Sequence, residues 1–256
     1  MMLASVRLFT WLVLLAVIFV PLERLCALHP QRIFRPGLLT DLGYFLLGAV
    51  IPGLVLGAPL SLVAGTMHAI IPPAWHAMVG GWPLWFRLPI ALLIGETGFY
   101  WGHRLTHRIP MLWRFHAIHH SAEQMDFLVN TRAHPVDLVF TRLCGLVPLY
   151  VMGLAGPGQS FVSVLVVVFG TVWGFVIHAN LRWRLRPLGW LLATPAFHHW
   201  HHARGGPDGR NYAAMFPILD RIFGTHAVPN VWPEHYGITE PLAPTLAGQL
   251  AAPFRP

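Results

Sequence analysis

The chain has 256 residues, of which 55% are hydrophobic and only 11% charged, where an ordinary soluble domain carries about 25% charged residues. That deficit excludes a plain soluble domain, and the length suits one compact membrane domain without a separate soluble module. The net charge of +7 is carried by arginines gathered between apolar runs, which fits the rims of a membrane protein and excludes a nucleic-acid-binding stripe.

Five apolar runs follow in chain order, each to be judged against the roughly 20 residues that a spanning helix needs. They cover residues 8–22, 42–65 with Pro52 and Pro59 inside, 84–101 with Arg87 and Glu96, 136–155 with Asp137 and Arg142 near its start, and 159–179. Proline and glycine are tolerated in such helices because neighbouring helices re-satisfy the freed backbone groups. The first run also has the outline of a secretory signal. However, "PLERLCALHP" follows it where small residues would mark cleavage, so a retained anchor is expected.

Arginines cluster at residues 23–35, at 104–132 and after 181, whereas 66–83 and the turn at 155–159 hold no Lys or Arg. The positive-inside rule therefore places the three basic segments in the cytoplasm, with the N-terminus outside and the C-terminus inside. The fold expected is an all-α membrane bundle of four to five transmembrane helices under a cytoplasmic, histidine-rich helical cap. Residues 1–93 form its N-terminal transmembrane region, 94–236 the histidine-bearing domain, and 237–256 a loose tail. Cys26 and Cys144 stand far apart and form no CxxC pair, which excludes a disulfide framework and a zinc ribbon.

Histidine is the outlier: 16 residues, against 10 Asp and Glu together. They cluster as His103 and His107 in "HRLTH", His116, His119 and His120 in "HAIHH", and His198, His199, His201 and His202 in "HHWHH". His178 ends the fifth run. Residues three and four apart share a helix face, so each cluster presents imidazoles in one direction. Together they exceed the four ligands of one tetrahedral zinc site and suit two ions sharing a site. Imidazole binds iron, zinc, copper or nickel, but oxygen chemistry on an alkyl chain at the membrane edge requires a redox metal, which zinc is not. His199 fills an intervening position and is expected to tolerate replacement. His29, His68, His76, His226 and His235 read as interfacial or packed residues.

The stretch "FYWGHRLTHRIPMLWRFHAIHHS", then "TRAHP", "HAN" and "TPAFHHWHHARGGPDGRNYAAMFPILDRIFGT", resembles the fatty acid hydroxylase / sterol desaturase superfamily of membrane di-iron enzymes. The likeness covers about residues 94–236; the first ninety residues share only their apolar character. It implies a cytosol-facing site of two iron ions (Fe2+), O2 as oxidant, a lipid substrate and electrons from an external protein, since no haem or flavin fingerprint is present. It implies as ligands His103, His107, His116, His119, His120, His178, His198, His201 and His202. Family members often carry Asp where this chain has Glu96. That carboxylate either orients a ligand histidine or caps or pairs with an arginine. His134, Asn180, Asn211 and Asp220 are further candidates to brace the ligands, while Asp208 with Gly209 reads as a turn. The basic loops, Arg114 included, suit an acidic carrier and a solvated face equally.

The function expected is hydroxylation of a lipid C–H bond, whether fatty acyl, sterol or related, in a bacterial inner membrane. The alternatives are a desaturase or carotenoid hydroxylase of the same superfamily, or a non-enzymatic membrane metal-binding protein. A transporter is disfavoured because its polar groups would sit near the bilayer midplane, and a zinc hydrolase because no HExxH motif is present.

Overall fold

The computed structural model describes residues 2–156, 160–205 and 209–255; Asp208 and most of the expected 155–159 turn lie outside them. The described chain is helical, with only isolated bridges between Ala27 and Leu181 and between Ala203 and Tyr236. In order the helices are α1 (Met2–Leu25), α2 (Leu38–Val55), α3 (Gly57–Ile70), α4 (Pro73–Gly80), α5 (Leu84–Arg108) and α6 (Pro110–His120). A 3-10 turn (Phe127–Thr131) follows, then α7 (Pro135–Val151), α8 (Ser160–His178), α9 (Pro195–His201), α10 (Ile218–Ile222) and α11 (Leu246–Ala251).

The protein is an integral membrane protein. Helices α1, α2 and α8 are each long and apolar enough to cross a bilayer, and α4 with α5 makes a fourth span if the pair, bent by 113°, counts as one. Phe9 and Val17 of α1, Leu54 of α2 and Phe161 and Val164 of α8 are exposed, as lipid-facing side chains should be. Two of the five expected runs take a different form. The run 42–65 is divided at Leu56 between α2 and α3. The run at 136–155 becomes α7, whose 17 residues fall short of the roughly 20 needed to span.

Close packing of α5 on α7 sets the position of the histidine-bearing end of α5. Gly95, Gly98 and Gly102 line the contact: a methyl on Gly98 would strike the Cys144 carbonyl, and one on Gly102 would stand 2.6 Å from Cys144 Cβ. Small residues spaced this way let helix backbones approach closely where lipid offers no hydrophobic drive. Nearer α1, Phe19 stacks on Phe127 at 5.3 Å and tilts against Phe175 at 6.1 Å. Such pairs add about 0.5–1.5 kcal/mol each beyond their burial, and they lock α1, the 3-10 turn and α8 together.

The expected loose tail is instead folded. Thr245 caps α11 by accepting the Gly248 N–H at 3.2 Å, and Leu246 Cδ2 fills the space where a Gly43 side chain would start. Thr40 donates to the Pro244 carbonyl at 3.1 Å, and Phe254 meets Phe115 edge-on at 5.5 Å. Leu246 and Leu250 share one helix face after a capping threonine, so the segment has a side to bury.

Candidate metal centre

Four helices deliver the nine clustered histidines. His103 and His107 sit on the last turns of α5, and His116, His119 and His120 on α6, which Pro110 begins at its first turn. His178 ends α8, and α9 carries His198 and His201 with His202 directly after it. Pro195 and the Thr194 side chain, which accepts the Phe197 N–H at 3.3 Å, start α9. A proline at the first helical position has no N–H to leave unpaired. The short helices thus begin abruptly and turn their histidine faces inward.

The nine imidazoles form two groups. His103, His107, His116, His120 and His201 each bring one ring nitrogen within 4.8 Å of the others, and His119, His178, His198 and His202 do the same. The groups share a wall, because the His120 and His202 rings stack at 4.4 Å. His107 and His201 are half-buried and the other seven are buried.

The hydrogen bonds fix which nitrogen faces inward. A carbonyl only accepts, so each ring nitrogen facing one carries the proton. His103 Nδ1–H donates to Tyr212 O (2.6 Å), His119 Nδ1–H to Arg132 O (3.0 Å), His178 Nδ1–H to Gly174 O (2.7 Å) and His201 Nδ1–H to Arg210 O (2.8 Å). His116 Nδ1–H donates to the Asp137 carboxylate at 3.0 Å. Each of these rings turns a bare Nε2 to the interior. There Nε2 atoms face one another at 3.1 Å (His103–His116), 3.2 Å (His119–His178), 2.9 Å (His178–His198) and 3.1 Å (His198–His202).

In the His103–His116 and His119–His178 pairs both Nδ1 protons are spent elsewhere, so lone pair meets lone pair. A shared cation resolves that repulsion. Two nitrogens about 2.0–2.1 Å from one ion stand roughly 3.0–3.4 Å apart, which matches the observed spacing. His107, His120 and His201 add buried Nε2 atoms with no hydrogen-bond partner among the described residues. The donor set therefore fits metal ions.

Burial and mutual repulsion favour the neutral form, the one that coordinates, in five of these rings. They hold His120, His198 and His202 well below the usual imidazole range, and take His119 down to about 4 and His201 to about 3.

The remaining sequence candidates brace the backbone. The Glu96 carboxylate accepts the N–H groups of Ala214 (2.6 Å) and Met215 (2.7 Å). Among the described residues it meets no ligand histidine and no arginine, and it ties down the loop whose Tyr212 carbonyl holds His103. Asp220 accepts the N–H groups of Tyr212 and Ala213 from the other side, at 2.8 and 2.9 Å, and burial raises its carboxyl. Asn211, at a positive φ of 58°, donates to Phe197 O and Ala227 O. Asn180 exchanges bonds with the backbone of His29.

His134 stands apart from both groups. It caps α7 through Nδ1, which accepts the Val136 N–H, and its Nε2 reaches Leu250 O at 3.3 Å. His199 is fully buried, with Nδ1 at 2.9 Å from Tyr236 OH and Nε2 at 3.1 Å from Ala179 O. It belongs to neither group, and its ring fills a buried site with a partner at each nitrogen.

Asp137 and the carbonyl of Arg132 escape the sequence reading. An acid in the first turn of a helix reads as a favourable dipole partner, and a carbonyl leaves no mark in a sequence.

A fatty acid hydroxylase family model matches residues 88–225. An ornithine lipid hydroxylase of Rhizobium tropici is 36% identical over 181 residues, covering 70% of this chain and 54% of that protein. The human alkylglycerol monooxygenase is 32% identical, over 59% of this chain and 33% of its own length. A Delta(7)-sterol 5(6)-desaturase of Gibberella zeae is 28% identical, over 60% and 41%. The chain thus spans about half or less of the length of these relatives. No solved structure matches it.

Proposed function

Because the chain belongs to the fatty acid hydroxylase family, we propose that it is a membrane-bound hydroxylase that uses O2 and two irons to oxidise a C–H bond of a lipid. The observation that carries this reading is the convergence of nine imidazoles in two groups at the ends of apolar helices. His103, His107, His116, His120 and His201 would hold one ion, and His119, His178, His198 and His202 the other. When bound, the iron pair supplies the redox chemistry that O2 needs to attack an unactivated C–H bond. An ornithine lipid hydroxylase and alkylglycerol monooxygenases among the relatives favour hydroxylation over desaturation.

The chain's own residues hold and shield this centre. Asp137 and four backbone carbonyls lock five ligand rings in one tautomer, as outer partners of metal-bound histidines do. Trp113, with its ring centroid 5.2 Å from His107 and 5.5 Å from His120, and the buried Tyr212, 5.2 Å from His107, keep water from the five-histidine group.

The arginine distribution supports a cytoplasmic histidine cap, and the Rhizobium relative supports a bacterial inner membrane. Electrons come from a separate protein, for which exposed Arg108, Arg114 and Arg210 offer a basic face. The test is lipid profiling of cells with and without the protein, with an electron donor present. One lipid class should gain one oxygen, and the gain should vanish in His120→Ala. An unchanged lipid profile rejects the proposal.

A further inference from the structure

Asp41 lies in α2, outside the stretch that the family model matches, and is fully buried. Its Oδ1 accepts Arg132 Nε–H at 2.7 Å and its Oδ2 accepts Arg35 Nη2–H at 2.6 Å. Arg35 in turn donates through Nε to Asp126, which caps the 3-10 turn by accepting the Leu128 N–H. Arg132 Nη1 reaches Ser121 Oγ, just past α6, at 3.1 Å. Gly37, at φ +84°, leaves room for this guanidinium: a Cβ there would stand 3.1 Å from Arg132 Nη2. The side chain of Arg132 is thus pinned, and its carbonyl is the one that accepts the His119 Nδ1–H.

A second acid outside the matched stretch serves the same group. Glu23 of α1 accepts the N–H of Phe127, which opens the 3-10 turn, at 2.8 Å, and that of Asn180, two residues after His178, at 2.9 Å. His119 and His178 both belong to the four-histidine group. The braces of the five-histidine group, Tyr212, Asp137 and Arg210, all lie inside residues 88–225.

We propose that Asp41 is a positioning residue for the four-histidine group: through Arg132 it sets the carbonyl that orients His119, so that the N-terminal helices control one of the two metal positions. This rests on the reading that both groups bind metal. Removing such an outer partner typically weakens metal binding about 10- to 100-fold, and here the loss falls on one ion only.

The test is anaerobic Fe2+ titration of the full chain in detergent after chelator stripping. The wild type should show two binding steps, and His202→Ala identifies the one that belongs to the four-histidine group. Asp41→Asn should weaken that step about 10- to 100-fold and leave the other within about two-fold. Leu149→Ala, a cavity in the membrane-side core, should lower thermal stability without separating the two steps. Where Asp41→Asn gives no folded protein, Arg132→Lys, which keeps the charge but loses the guanidinium fork, decides by the same criterion. Equal weakening of both steps, or of neither, overturns the proposal. A wild-type chain that binds no metal instead overturns the functional reading on which it rests.

Discussion

His116 gives its Nδ1–H to the Asp137 carboxylate 3.0 Å away and so faces His103 with a bare Nε2 at 3.1 Å. The pair joins α6 to the first turn of α7 and makes His116 the one histidine of the nine whose observed brace is a charged side chain. Asp137→Asn keeps an acceptor but removes the charge that strengthens His116 as a ligand. It should lower metal affinity or lipid oxidation about 10- to 100-fold, read by metal content and product formation. Asp137→Ala should do more, and wild-type values in both variants would remove Asp137 from the centre.

His199 and His201 are two residues apart and should fail differently. His199→Ala leaves a buried hydroxyl, that of Tyr236, and a buried carbonyl, that of Ala179, without partners. It should cost about 1–3 kcal/mol of stability while the protein still binds metal. His201→Ala should cost metal and activity with a smaller change in unfolding temperature. Thermal unfolding paired with metal analysis separates the two, and metal loss in His199→Ala would make that ring a ligand.

The capping bond of His134 carries a pH dependence. Its Nδ1 accepts the Val136 N–H, which only the neutral ring does, and burial holds its pKa below the usual value. A histidine depressed in the folded state stabilises above its unfolded pKa of about 6.5, and that contribution is lost as pH falls below it. The protection of the Val136 amide and of those across residues 246–254, taken relative to intrinsic exchange, should therefore fall between pH 7.5 and roughly 5.5. His134→Asn, which caps without titrating, should remove the pH dependence; an equal response in this variant would assign it elsewhere.

Gly98→Ala drives a methyl into the Cys144 carbonyl across the α5–α7 contact. Overpacking of this kind costs about 1–3 kcal/mol, and the strain falls on the helix that ends in His103 and His107. The variant should unfold at lower temperature and bind metal less well. Gly170→Ala, at a position with open space around it, should change neither.

What the sequence made legible follows from periodicity. The nine imidazoles repeat at helical spacing at the ends of apolar runs, and the structure gathers all nine, with His199 in neither group. What it hid depends on the third dimension. Glu96 sits among residues that carry histidines, yet its partners are amides some 118 residues away. The acids that brace the four-histidine group, Glu23 and Asp41, belong to α1 and α2, where a lone charge at the edge of an apolar run gives no hint of its partner. The C-terminal segment looked loose because Pro and Ala dominate it, although Thr245 and the Leu246–Leu250 pair held the signal of a capped helix. The division of run 42–65 at Leu56 turns on local backbone geometry that its uniform hydropathy conceals.

The most direct test of the two-ion centre is the iron and zinc content of the full chain, purified gently from iron-rich medium. The wild type should hold about two irons, and His120→Ala and His202→Ala, one from each group, should each fall to about one. A single zinc reproducible across preparations, or loss of all metal together in either variant, would contradict two separately held ions.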